Sequence, residues 1–289
     1  MTSRIAMVDG QVLPLESAKV SVLDRGFLYG DSIFETLRTY GGRPFALDLH
    51  LERLERSASL VHIDLPISSR DLSDEVVRAI AASQNAESYI RLTITRGSGE
   101  LGLDPELAGR PLRVIIVTPL KPPAGEAYQK GIHAVSFRTT RAFDGTEAVG
   151  AKIGNYLVSV LAMQRAKAAG AGEALIVDRG GLVVEGASSN VFFVQRNALV
   201  TPPEEAGILP GITRKILLGI AIDLGITVEQ RTPGIGDIFG FDEIFVTSSI
   251  RELLPVVALD GRSVGDGAPG PVYRKLLAEF RARALRARP

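Results

Sequence analysis

The chain has 289 residues, 45% of them hydrophobic and 23% charged, and its 33 basic and 33 acidic side chains leave no net charge. That balance argues against a broad nucleic-acid surface, and the absence of cysteine excludes disulfides, thiolate metal sites and cysteine nucleophiles. No apolar run reaches the roughly 18 residues of a membrane span, and Met1–Pro14 carries no secretion signal, so a soluble cytoplasmic protein is expected.

At roughly 150 residues per domain, the length predicts about two domains. Ile5–Val8 and Val20–Leu23 read as short strands and Ser32–Tyr40 as a longer one, rich in β-formers. Gly41-Gly42 is a turn, with Arg43–Leu47 as the returning arm of a hairpin. Asp48 is a candidate N-cap for a helix with the apolar stripe Leu47, Leu51, Leu54, Ala58 and Val61 and a second stripe of His50, Arg53 and Ser57. A helix from about Ser69 to Ala82 follows, then strands at Tyr89–Thr95 and Leu112–Thr118 joined by the Gly-rich loop Gly97–Pro105. Pro119–Gly125, with three prolines and a glycine, is the best boundary. It divides a small domain, 1–118, and a linker, 119–129, from a larger domain, 130–289. In the larger domain the pattern predicts a strand at Ile132–Phe137 and a helix at Ile153–Ala169. A meander of Ala174–Val177, Leu182–Glu185 and Val191–Val194 comes next, then a helix at Pro210–Leu224, a strand at Glu243–Val246 and a closing helix at Pro271–Arg286. The fold class is mixed α+β.

Chemistry begins with the lysines, of which there are only seven. Lys152 sits among small and apolar neighbours just before an apolar helix; it is either a desolvated amine nucleophile or a snorkelling surface lysine. Glu185 shares strand parity with Val183, so it is either a carboxylate facing the core, which would need donors, or an edge residue in water. Gly207–Arg214 opens a helix with a Pro-Gly turn, and helix N-terminal amides suit phosphates. Thr247-Ser248-Ser249 is a second amide-exposing turn. Gly97–Gly102 lacks the strand–loop–helix context of a dinucleotide site. No Ser–His–Asp elbow is present, and His50, His62 and His133 lack metal-ligand spacing. The terminal Arg281, Arg283, Arg286 and Arg288 suit a helix C-terminus. An amine, an acid and a phosphate cradle together fit one cofactor, pyridoxal 5'-phosphate.

Several motifs in order make a resemblance plain: His50-Leu51-Glu52-Arg53-Leu54, Lys152-Ile153-Gly154-Asn155-Tyr156-Leu157, Glu185-Gly186-Ala187-Ser188-Ser189-Asn190-Val191-Phe192, Thr201-Pro202 and Leu209-Pro210-Gly211-Ile212-Thr213-Arg214. The chain resembles class IV (fold type IV) aminotransferases, most closely the branched-chain group. The resemblance implies a small α/β domain and a larger pseudo-barrel domain, pyridoxal 5'-phosphate as cofactor, and a homodimer or higher oligomer. It implies Lys152 as the Schiff-base lysine and Glu185 on the pyridine nitrogen. Tyr156 would meet the ring hydroxyl, and Arg53, Ile212, Thr213, Ser248 and Ser249 would hold the phosphate. Tyr29, Phe34, Arg38, Tyr89, Arg91 and Ile250 would bind substrate, a branched-chain L-amino acid exchanging with 2-oxoglutarate. Thr36 departs from the glycine usual in that group and is similar to the aminodeoxychorismate lyases. The other alternative is a D-amino acid or (R)-amine transaminase. Against both, Gly97–Pro105 has no arginine, and Phe34 stands where the D-amino acid group has tyrosine.

Overall fold

The computed structural model describes residues 3–139 and 148–286. Two units emerge. The first comprises 3–121 together with 151–155; the second comprises the described residues of 122–150 and 156–286.

The first unit is built on a sheet of six antiparallel strands ordered β2-β1-β6-β5-β3-β4. These are β1 (Ile5–Val8), β2 (Gln11–Pro14), β3 (Ser32–Tyr40), β4 (Arg43–Pro44), β5 (Ser88–Thr95) and β6 (Leu112–Pro119). Alternation in β3 and β5 turns Ile33, Leu37, Ile90, Leu92 and Ile94 to one face. There they pack with Leu51, Leu54 and Ala58 of α2 (Leu47–Leu60) and Leu72, Val76 and Ala79 of α3 (Ser69–Ser83). Two expectations fail locally. Val20–Leu23 is irregular, with Val20, Val22 and Leu23 exposed, because it feeds the short helix α1 (Arg25–Tyr29), which Asp24 caps by accepting Gly26 N–H at 2.8 Å. The N-cap of α2 is Ala46 in a left-handed conformation, and Asp48 lies in the first turn, where its charge suits the helix dipole.

The second unit holds a nine-stranded mixed sheet. Its main path runs β12-β11-β10-β13-β14-β7-β8-β9, with β15 paired to β14. In chain order the elements are α4 (Gly125–Lys130), β7 (Ile132–Arg138), α5 (Leu157–Ala168), β8 (Glu173–Val177), β9 (Val183–Gly186), β10 (Asn190–Gln195), β11 (Ala198–Thr201), α6 (Ile212–Asp223), β12 (Val228–Gln230), β13 (Glu243–Ser248), β14 (Glu252–Leu259), β15 (Arg262–Ser263) and α7 (Pro271–Arg286). Strand β8 reads as an apolar run after Glu173 because both its faces are buried, and its neighbours β7 and β9 add to the same two cores. Ala134, Leu175, Val177 and Val183 join one core, while Val135, Ala174, Ile176 and Val184 pack with Ala162 and Ala166 of α5 in another.

The expected meander breaks after β9. A bridge between Gly186 and Ser189 turns the chain, and β10 pairs with β11 and β13 instead, curling the sheet into a half-barrel. Strand β14, buried along its whole length, escapes a pattern reading because Pro255 stands in its middle, and proline argues against a central strand. Helix α5 starts four residues later than its apolar pattern predicts. Ile153 bridges Ile33, Gly154 N–H donates to the Ser32 carbonyl at 2.8 Å, and a Cβ on Gly154 would lie 2.2 Å from Ser32 Oγ. Residues 152–154 are thus drawn into strand pairing. Helix α6 likewise begins at Ile212, with Gly211 as N-cap, two residues after the predicted Pro210.

Candidate active site

In the first unit, strand register collects the candidates on one face. Phe34 faces Thr93, Thr36 faces Arg91, and Arg38 faces Tyr89, so these six side chains project opposite the helix-covered core. Lys152 is anchored at both backbone groups: its N–H donates to Ser57 Oγ at 3.0 Å and its carbonyl accepts Phe34 N–H at 3.0 Å. Its amine lies 4.6 Å from the centre of the Phe34 ring, and the Arg91 guanidinium carbon lies 3.7 Å from it. Two cations beside one ring gain cation–π attraction. Arg38 stacks on Tyr40 at 4.3 Å. Tyr29 is off this face, at the end of α1, where its hydroxyl accepts Gly102 N–H at 3.1 Å.

Beneath that face is a cluster the sequence reading did not find. Glu35 has the core parity of Ile33 and Leu37 and is fully buried. It receives Arg53 Nε–H and Nη2–H at 2.7 Å each and meets His50 Nδ1 at 2.6 Å. Burial alone would raise the Glu35 carboxyl, but the Arg53 charge and hydrogen bonds, with help from His50, outweigh it and hold the pKa at about 2. Burial lowers His50, and its bond to Glu35 offsets only part of that, so the imidazole stays neutral at pH 7. The signal was present: a glutamate at a core-parity position of a strand, and a His50/Arg53/Ser57 helix stripe to meet it.

In the second unit, Glu185 near the end of β9 is half-buried, and its Oε2 accepts Leu209 N–H at 3.3 Å. Tyr156 is the residue before α5. Ile212 and Thr213 occupy the first turn of α6, which has no side-chain cap, so its amides suit an anion. Asn190 Nδ2–H donates to the Leu209 carbonyl at 2.8 Å, and a Cβ on Gly211 would lie 1.9 Å from Asn190 Oδ1. Only glycine fits at that helix start. Ser248 ends β13, and Ser249 and Ile250 form the following turn, all three half-buried. The fully buried carboxylate here is Glu173, paired with Arg251 at 2.7 Å; neither was anticipated, although a glutamate heading the apolar run Ala174–Val177 marks the first. Among the described residues no group of histidine and acidic side chains could hold a metal ion, and no helix is long and apolar enough to cross a membrane.

The fold is mixed α+β with a curled sheet in the second unit. The chain matches the family described as Amino-transferase class IV over residues 32–259. It is 38% identical to a putative branched-chain-amino-acid aminotransferase of Methanocaldococcus jannaschii, over 95% of this chain and 94% of that protein. It is 32% identical to a D-alanine aminotransferase of Bacillus licheniformis, over 93% of each. The crystal structure of the branched-chain aminotransferase from Thermoproteus uzoniensis with norvaline superposes with a TM-score of 0.90 at 32% identity, covering 99% of this chain and 96% of that one. The protein belongs to the class IV aminotransferases, enzymes of fold type IV that use pyridoxal 5'-phosphate.

Proposed function

We propose that this aminotransferase moves an amino group between a branched-chain L-amino acid (leucine, isoleucine or valine) and 2-oxoglutarate, with Lys152 as the catalytic amine. The observation that carries the reading is the β3–β5 face, where the Lys152 amine lies 4.6 Å, and the Arg91 guanidinium carbon 3.7 Å, from the centre of the Phe34 ring. The ring and the neighbouring Thr36 offer an apolar floor for an aliphatic side chain. Arg91 is half-buried and has no ion-pair partner among the described residues, which suits the distal carboxylate of 2-oxoglutarate.

When bound, the cofactor supplies an aldehyde that links to amines and a ring that takes up electrons as the substrate Cα–H bond breaks. Lys152 Nζ would take that proton from Cα and return it at the cofactor's C4′. Glu185, oriented by Leu209 N–H, would keep a proton on the ring nitrogen, and Tyr156 would hydrogen-bond the ring hydroxyl. Arg53, held by Glu35, would hold the phosphate together with the amides of Ile212 and Thr213 and the hydroxyls of Ser248 and Ser249. Tyr29, Arg38, Tyr89 and Ile250 would complete the substrate contacts.

The same reading makes the enzyme a cytoplasmic homodimer. Supporting it, Val22, Leu23, Phe27, Leu101 and Leu103 are large apolar residues left exposed. They lie on segments tied together by Arg25, which donates to the Gly102 and Leu103 carbonyls at 2.9 and 3.2 Å.

The test is the absorbance spectrum of the purified enzyme before and after L-leucine, with D-alanine in parallel. A yellow protein bleached by L-leucine is the expected result. Bleaching by D-alanine alone would transfer the assignment to a D-amino acid transaminase, and a yellow protein unmoved by either would overturn transamination of both classes.

A further inference from the structure

The buried carboxylate Glu173 sits at the start of β8 with no exposed surface. Its Oε1 accepts the N–H groups of Ala174 and Ala187 at 2.9 and 3.3 Å. Its Oε2 accepts the Ser189 hydroxyl at 2.8 Å and Arg251 Nη2–H at 2.7 Å. Arg251 in turn donates from Nη2 to Ser188 Oγ at 3.2 Å and from Nε to Ser248 Oγ at 3.4 Å. One ion pair therefore clasps the loop that follows Glu185 to the turn that follows β13. The loop is shaped around the carboxylate: a Cβ on Gly186 would lie 2.1 Å from Ser189 Oγ and 3.1 Å from Glu173 Oε2.

The direction of the hydrogen bonds matters. Ser248 Oγ accepts from both Nε and the backbone N–H of Arg251, at 3.4 Å each. A serine hydroxyl has one proton and two lone pairs. With donors supplied on the acceptor side, that proton is left to donate, which is the orientation an anion requires. Lysine could neutralise Glu173, but its point-like ammonium lacks the planar fork by which arginine serves Glu173 from one nitrogen and Ser248 from another.

We propose that Arg251 and Glu173 are positioning residues for phosphate capture, Arg251 aiming the Ser248 hydroxyl as a donor while Glu173 holds Arg251 in place. The proposal rests on the reading of Ser248 and Ser249 as phosphate contacts. Dissociation constants of the apoenzyme for pyridoxal 5'-phosphate and for pyridoxal, which lacks the phosphate, test it. Arg251→Ala should weaken the phosphorylated form about tenfold while leaving pyridoxal within about twofold. Ser248→Ala should do the same and add little in the Arg251→Ala background. Should Arg251→Ala not fold, Arg251→Lys decides, with most of the selective loss expected. Equal weakening of both ligands, or a lower melting temperature with both affinities intact, would overturn the proposal. A selective loss in Ser248→Ala with none in Arg251→Ala would overturn it alone. No selective loss in a Ser248→Ala/Ser249→Ala double variant would overturn the phosphate reading itself, and the proposal with it.

Discussion

Glu35 and Arg53 meet edge to edge, Oε1 on Nε and Oε2 on Nη2, both at 2.7 Å and both buried. The pair joins strand β3 to helix α2 directly beneath the face that carries Phe34. Removing one member of a buried pair leaves the other charge uncompensated, at about 3–5 kcal/mol. Glu35→Gln should therefore lower the melting temperature by on the order of 10 °C. The wild type should also lose stability in acid. Glu35 has a folded pKa of about 2 against an ordinary 4.5, so its contribution is complete above pH 4.5 and is lost as pH falls through 2. His50, held below its ordinary 6.5 chiefly by burial, acts in the same direction from pH 6.5 downward. Thermal melts between pH 3 and 8 should show a shallower slope in Glu35→Gln; parallel curves would refute this account.

Lys152→Ala should reduce turnover by about a thousandfold or more, since the proposed reading makes the amine both nucleophile and proton carrier. Its melting temperature should stay close to wild type, because the anchoring bonds to Ser57 and Phe34 use only the Lys152 backbone. Steady-state rates beside a thermal melt check both halves.

Arg91→Met should raise KM for 2-oxoglutarate about tenfold or more while changing KM for L-leucine little, since only the former carries a second carboxylate. Equal changes for both would mean that Arg91 serves the pocket's shape through its stack on Phe34.

Gly211→Ala should destabilise the protein by about 1–3 kcal/mol and weaken cofactor binding. Gly211 has φ −67°, so conformational freedom is not at stake; the reason is the 1.9 Å approach of a Cβ to buried Asn190 Oδ1. Titration of the apoenzyme with cofactor, compared with the melting temperature, measures both effects.

A Phe27→Asp/Leu103→Asp variant should run as a monomer in light scattering where the wild type runs at twice the chain mass. Both residues are mostly exposed in the single chain, at 68% and 79%, so the fold itself should survive. A wild type that is monomeric at all concentrations would refute the dimer.

Much of this was legible along the chain. The alternation of Ser32–Tyr40, the helix stripes of Leu47–Leu60 and the apolar run of β8 are local patterns, and each formed the element its period demands. The Lys152, Glu185 and Gly211 segments could be picked out as motifs because turn chemistry and a rare lysine are visible without any partner. Where local signals conflict, the chain is silent. Pro255 hid β14, and the apolar pattern from Ile153 onward masked the strand-like stretch that holds Lys152.

What the sequence determined by itself was therefore the strongly periodic elements, the class of chemistry and the candidate amine, all legible from periods of two or 3.6 residues and from short motifs. Tertiary structure alone decided which charges are buried and what neutralises them. Glu35 needs Arg53 from 18 residues away, and Glu173 needs Arg251 from 78 residues away. A buried carboxylate is tolerable only where a distant cation arrives to meet it, and strand register and helix packing set that arrival, not the residues beside it in the chain.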